Sequence, residues 1–214
     1  MTYAVLLALH IAVLGYWLGS EMVINSEYRF VVHRSDLPVA ARSAMMDHVM
    51  KVDQHVRYAL VLQLTLGAML MAGLGMLPDA ALWLAPLAGL GWLAMVEAVH
   101  RTRNSPGGLR LALIDRLLRY GVAAALVLTA AAMPDWPGWL RIKLALFAGI
   151  IGCGVLIRFQ LIRHFQLWGE ITAEGSSPQR EADLQGIYRR ATGILLVLWG
   201  LIAAIALLAV FKPG

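Results

Sequence analysis

The chain has 214 residues, of which 60% are hydrophobic and 14% charged, with a formal net charge of +5 and a mean hydropathy of +0.70. So apolar a composition excludes a water-soluble domain, and the basic balance is read as membrane topology rather than as a nucleic-acid surface. The single cysteine, Cys153 in a Gly-rich apolar stretch, excludes a disulfide or a thiolate cluster within the chain.

A membrane-crossing helix needs about 20 apolar residues, and six such runs occur, over residues 3–31, 55–77, 81–99, 111–133, 139–159 and 191–211. The expectation is an all-α fold: one integral membrane domain over residues 1–214, a polytopic bundle of six transmembrane helices. The first run is too long, and starts too close to a barely charged N-terminus, to read as a cleaved signal peptide.

That first run carries a polar line, His10, Trp17, Glu21 and Tyr28. At about 100° per residue, offsets of 7, 11 and 18 return to within roughly 20° of the starting direction, so all four share one face. A carboxyl group and an imidazole facing lipid are costly, which places this face toward other helices and marks it as a site for redox, proton or metal chemistry. Glu21 at membrane depth is expected to stay neutral near pH 7 unless a cation pairs with it, and so to exchange protons with a nearby centre. The other reading is a protonated acid bonded to a facing helix, for instance to Gln63.

Ahead of the second run, Met45, Met46, His48 and Met50 make a short thioether-imidazole cluster that suits Cu(I) or, equally, the apolar face of an amphipathic helix. His48 and His55 are seven apart and share a face. On the third run Glu97 and His100, three apart, form half of a di-iron carboxylate pair, but its second copy is missing. The fifth run contains Gly149-Ile150-Ile151-Gly152-Cys153-Gly154, whose small residues let helices approach closely. No Gly-rich nucleotide loop or nucleophile elbow occurs, so a flavin or nicotinamide would have to come with a partner.

Cations set the expected orientation. Arg29, Arg34, Arg42, Lys51 and Arg57 follow the first run, Arg101, Arg103, Arg110, Arg116 and Arg119 join the third and fourth, and Arg158, Arg163, Arg180, Arg189 and Arg190 join the fifth and sixth. These connections belong inside, which leaves both termini outside; Arg141 and Lys143 alone run against the rule. A faint repeat fits this layout: Asp53, Arg57 and Tyr58 recur in spacing as Asp115, Arg119 and Tyr120, and loosely as Asp183, Tyr188 and Arg189. With His33-Arg34, His100-Arg101 and Arg163-His164 ending the odd runs, the chain reads as three related hairpins that bring three histidines to one depth. Histidine at an interface is also an ordinary snorkelling residue.

His10 with Trp17 and Gly19, then Tyr28-Arg29 and His33, resembles the first helix of the HemJ-type membrane protoporphyrinogen oxidases and of the related CopD copper-resistance membrane domains. Arg57 before Leu64-Thr65-Leu66-Gly67, Gly138-Trp139-Leu140 leading to Lys143-Leu144, and Phe211-Lys212-Pro213 add to the likeness, which covers runs one, two, five and six. HemJ-type proteins carry an Asn-Glu pair early in the last helix, where this chain has Arg189-Arg190. The resemblance implies a haem b with His10 as ligand and a role for Lys143 and the basic inner residues in porphyrin binding or redox work; with the cation asymmetry, the expected location is a bacterial inner membrane, multi-pass, with both termini periplasmic.

A b-type haem needs one or two axial side chains, an apolar slot and cations near its propionates. The chain offers His10 with His55, His100 or Met69 as the second ligand, and Arg57, Arg101 and Arg119 at the inner surface. The expected function is a b-type haem redox protein passing electrons from a porphyrin-like donor or a dehydrogenase or cytochrome partner to quinone, alone or as a homo-oligomer, with Glu21 and Lys143 as working residues. The alternatives are a CopD-like copper carrier using His10 and methionines, and a non-catalytic membrane subunit or anchor.

Overall fold

Six α-helices and no strand make up the described residues, 3–102 and 105–212, of the computed structural model. Arg103 of the inner cations and Pro213 of the C-terminal motif lie outside them. The helices are α1 (Tyr3–His33), α2 (Val39–Gly73), α3 (Ala81–Arg101), α4 (Pro106–Ala132), α5 (Gly138–Glu174) and α6 (Pro178–Phe211).

Local chemistry sets their ends. Pro38 stands before α2, because the residue ahead of a proline leaves the helical region and the ring itself suits a helix start. At the other end of α2 the amides of Gly75 and Met76 turn back onto the carbonyls of Ala72 and Met71 at 2.9 and 3.0 Å, a Schellman closure that needs the left-handed φ of 73° which Gly75 supplies. Ser177 caps α6 by accepting from the Arg180 amide at 3.3 Å, with Pro178 in the first turn. In the connection after α1, Arg34 holds Asp36 through two 2.7 Å hydrogen bonds, which keeps that carboxyl below its ordinary range.

Five of the six helices are long and apolar enough to cross a membrane, so the chain is a multi-pass membrane protein. The exception is α4, whose first half carries Arg110, Asp115, Arg116 and Arg119, leaving only residues 120–132 free of charge. Helices α2, α5 and α6, at 35, 37 and 34 residues, exceed the roughly 20 that a bilayer core requires. Their surplus is the polar, Arg-bearing part that a hydropathy reading leaves out of a span.

The helices divide between two compact units, one of residues 1–28 and 44–115, the other of 29–43 and 116–214. In the first, side chains of α2 bond the backbones of its neighbours: Gln63 Nε2 donates to the His10 carbonyl at 3.1 Å and Gln54 Nε2 to the Val96 carbonyl at 3.2 Å. Gly89 of α3 lies so close to Thr65 that a Cβ there would fall 2.3 Å from its hydroxyl oxygen, the close approach that small residues allow. Trp92 Nε1 then ties α3 to Asp115 at 2.9 Å.

The second unit is built on α5 against α6, with Ile150, Ile151, Leu195, Leu198 and Ile202 buried between them. Where α5 ends and α6 begins sits a polar knot. The wholly buried Arg42 donates from both terminal nitrogens to Glu181 at 2.8 Å and from Nε to the Val31 carbonyl at 2.9 Å. Its guanidinium lies 4.9 Å from the Trp168 ring centre, while Trp168 bonds Ser43 and Ser176 bonds Glu181.

Removing one partner of a buried pair strands the other charge, at a cost of about 3–5 kcal/mol. Glu181→Met is therefore expected to lower the unfolding free energy of the detergent-solubilised protein by about 3 kcal/mol or more, and Arg42→Met/Glu181→Met by much less than the sum of the single changes. Thermal unfolding followed by circular dichroism of the two single variants and the double checks this.

Candidate functional site

The polar line of α1 points inward. Trp17, Glu21 and Tyr28 are buried and His10 is half-buried, whereas Ile11, Tyr16, Met22 and Val23 on the other faces are exposed. A helix in lipid sorts itself this way because apolar side chains lose nothing by facing acyl chains and polar ones lose much.

Glu21 accepts from Trp17 Nε1, one turn earlier, at 3.2 Å. Among the described residues no cation lies within ion-pair distance of it. Asp53 of α2 is engaged by Arg57 at 2.7 Å. Gln63, a conceivable partner for Glu21, instead bonds the His10 carbonyl and so fixes α2 against the outer part of α1. His10 itself faces Gly67, where a Cβ would stand 3.7 Å from its ring carbon Cε1.

Toward the other end of the unit a second group of polar residues gathers. Tyr16 and the exposed His55 share a hydrogen bond of 2.5 Å between the phenol and Nδ1, His55 packs edge-on to Tyr58 at 6.2 Å, and Tyr58 donates to Glu97. Glu97 also accepts from Arg101 at 2.5 Å, and the half-buried His100 lies next to that pair on α3. His55 is 12 residues from Gly67, about 18 Å along α2, and His100 lies beyond the Tyr58–Glu97 contact at the same remote end. Neither can join His10 on one iron. Met69 stands at the level of His10, but two residues from Gly67 it falls about 200° away around α2.

The remaining candidates lie elsewhere. Arg57 and Arg101 are engaged by Asp53 and Glu97, while Arg119 on α4 and the half-buried Lys143 on α5 belong to the second unit. There His33 packs edge-on to Tyr188 at 5.6 Å and the buried His164 stacks on Trp168 at 5.7 Å. In the methionine cluster Met46 is buried as core, and the exposed His48 lies 3.6 Å from Glu27.

Among the described residues no group of three or more His, Cys, Asp or Glu side chains is placed to hold a metal ion. A bare copper ion draws several ligands from the protein, whereas haem iron brings four nitrogens of its own and asks for one or two side chains. His10 supplies one imidazole on an inward face. Sequence reasoning missed the Arg42–Glu181 knot, the Tyr16–His55 pair and the Tyr58–Glu97 bond. Only Glu181, in the first turn behind a Ser177-Pro178 start, had a local signal.

No family model, no curated protein and no solved structure matches the chain.

Stranding a buried hydrogen-bonding group costs about 1–3 kcal/mol, while removing both partners is nearly neutral. Trp17→Phe is expected to destabilise by that amount, and adding Glu21→Leu to recover part of the loss. Thermal unfolding of the three proteins in one detergent reads the difference.

Proposed function

We propose that this chain is an integral membrane redox protein that carries a b-type haem on His10 and couples its electron transfer to proton exchange at Glu21, related to the HemJ and CopD type of membrane domain. The observation that carries the reading is Glu21 itself: a buried carboxyl group on the His10 face of α1, with Trp17 as its hydrogen-bond donor and, among the described residues, no cation within ion-pair distance. A structural acid is normally met by a cation or several donors. One that is held by a single indole is left able to take up and release a proton.

The haem would supply one-electron chemistry. His10 would hold it by its imidazole, with Gln63 tying α2 to the backbone of α1 at that turn. Glu21 lies 11 residues from His10, about 16 Å along the axis, and would act on the centre through its field and through intervening polar groups. Electrons would come from a porphyrin-like donor or a dehydrogenase or cytochrome partner and leave to quinone. The chain would cross a bacterial inner membrane six times. Residues 120–132 give α4 about 20 Å, and Arg116 and Arg119 would snorkel to the surface. The Arg-rich connections then lie in the cytoplasm.

Purified protein is expected to show a Soret band and a reducible α-band, and His10→Ala to lose the haem or shift its spectrum; a colourless protein that co-purifies with copper overturns the reading. Wild type is expected to show a midpoint potential that falls as pH rises, by up to about 59 mV per unit for one proton per electron. Glu21→Gln is expected to flatten that slope, and an unchanged slope makes Glu21 structural. A reporter fused at Ser177 is expected to report a cytoplasmic location.

A further inference from the structure

In the second unit three cations stand where α5 begins and α6 finishes: Arg141, Lys143 and Lys212. Arg141 is engaged, its Nε donating at 2.8 Å to the carbonyl of Ala130, one of those that the end of α4 leaves without a helical partner. The two lysines are differently placed. A left-handed turn at Lys212, φ 42°, carries its side chain back over Trp139, with Nζ 5.7 Å from the ring centre. Lys143 follows Trp139 by four residues, so the two share one face of α5 a turn apart, and it is half-buried there.

Lys212 thus lies over the Trp139 ring, and Lys143 stands one turn along α5 on the same face. Among the described residues no carboxylate lies within ion-pair distance of either, and Asp135 in the neighbouring connection is exposed. These cations do not serve topology either, since Arg163, Arg180, Arg189 and Arg190 crowd the opposite ends of the same two helices. An ammonium group over the Trp139 ring and a second cation one turn along the same face repel each other where apolar helix meets water and screening is weak. An anion between them removes that repulsion. Close by, Ile142, Leu207 and Val210 are 50, 58 and 75% exposed, which in a membrane protein is surface offered to acyl chains.

We propose that Lys143, Lys212 and Trp139 form a binding site for the phosphate headgroup of an anionic phospholipid. The two ammonium groups take its phosphate oxygens, the indole ring keeps Lys212 over the site, and the acyl chains run along Ile142, Leu207 and Val210. A lipid is favoured over free phosphate because the bilayer already holds its phosphates at this depth, at high effective concentration. The site does not rest on the haem reading and its test needs no cofactor.

The test uses the full chain in nanodiscs of equal parts phosphatidylglycerol and phosphatidylcholine, with lipids retained on the ejected protein counted by native mass spectrometry. Wild type is expected to retain phosphatidylglycerol over phosphatidylcholine by about tenfold, the scale of one or two charge-assisted hydrogen bonds. Lys143→Gln and Lys212→Gln are each expected to reduce that preference several-fold, and Lys143→Arg to keep it. An equal preference in wild type and both Gln variants overturns the proposal. So does inorganic phosphate that binds as well as the lipid or displaces it fully, which would make this a site for free anions. Helical circular dichroism and gel filtration establish that each variant is folded; should Lys143→Gln fail there, Lys143→Arg and Lys212→Gln still decide the outcome.

Discussion

Inside hydrocarbon a polar group has no water to fall back on, so whatever is not bonded within the protein costs its full desolvation. The backbone meets this constraint by being helical almost throughout. Side chains meet it largely by bonding to backbone: Ser20, Thr65 and Thr172 turn back onto carbonyls of their own helices, and Gln54 and Gln63 reach carbonyls of neighbouring ones. The last two are worth more than their hydrogen bonds alone, because each sets the register of a helix pair whose apolar faces could slide.

Charged groups follow the same rule at different cost. Arg34–Asp36 is a solvated pair on a connection and contributes little. Arg57–Asp53 is a half-buried i,i+4 pair on α2. Arg42–Glu181 is a fully enclosed one, and there every feature that makes burial tolerable is present: bidentate geometry, a backbone carbonyl for Nε, an indole face and a serine hydroxyl on the carboxylate. It joins the 29–43 segment to the first turn of α6 through a contact 139 residues long in sequence. Specificity of pairing is the natural use of so demanding an arrangement.

Among the described residues two places stand out against that background: Glu21, with one donor and no cation within ion-pair distance, and Lys143 and Lys212, with no carboxylate within ion-pair distance. Groups left incompletely answered by their own chain are where a membrane protein is open to something else, which is why the two proposals made above rest on them.

The all-helical, membrane-crossing character was legible in the sequence because hydrophobic run length is a local property. So was the polar face of α1, since 100° per residue puts His10, Trp17, Glu21 and Tyr28 together whatever surrounds the helix. Helix lengths were legible in part: helix ahead of the second apolar run shows in the shared face of His48 and His55, whereas the polar extensions of α5 and α6, where Trp168 and Glu181 are buried, lie outside the apolar runs. In α4 early charges keep the helix short of the apolar length the other helices have. Which polar groups meet was decided only in three dimensions. Nothing local distinguishes Gln63 bonding the His10 carbonyl from Gln63 bonding Glu21, separates the levels of His10 and His55, or pairs Arg42 with Glu181, since each depends on how two helices are aligned along their axes, and that alignment is set by packing rather than by any one helix's sequence.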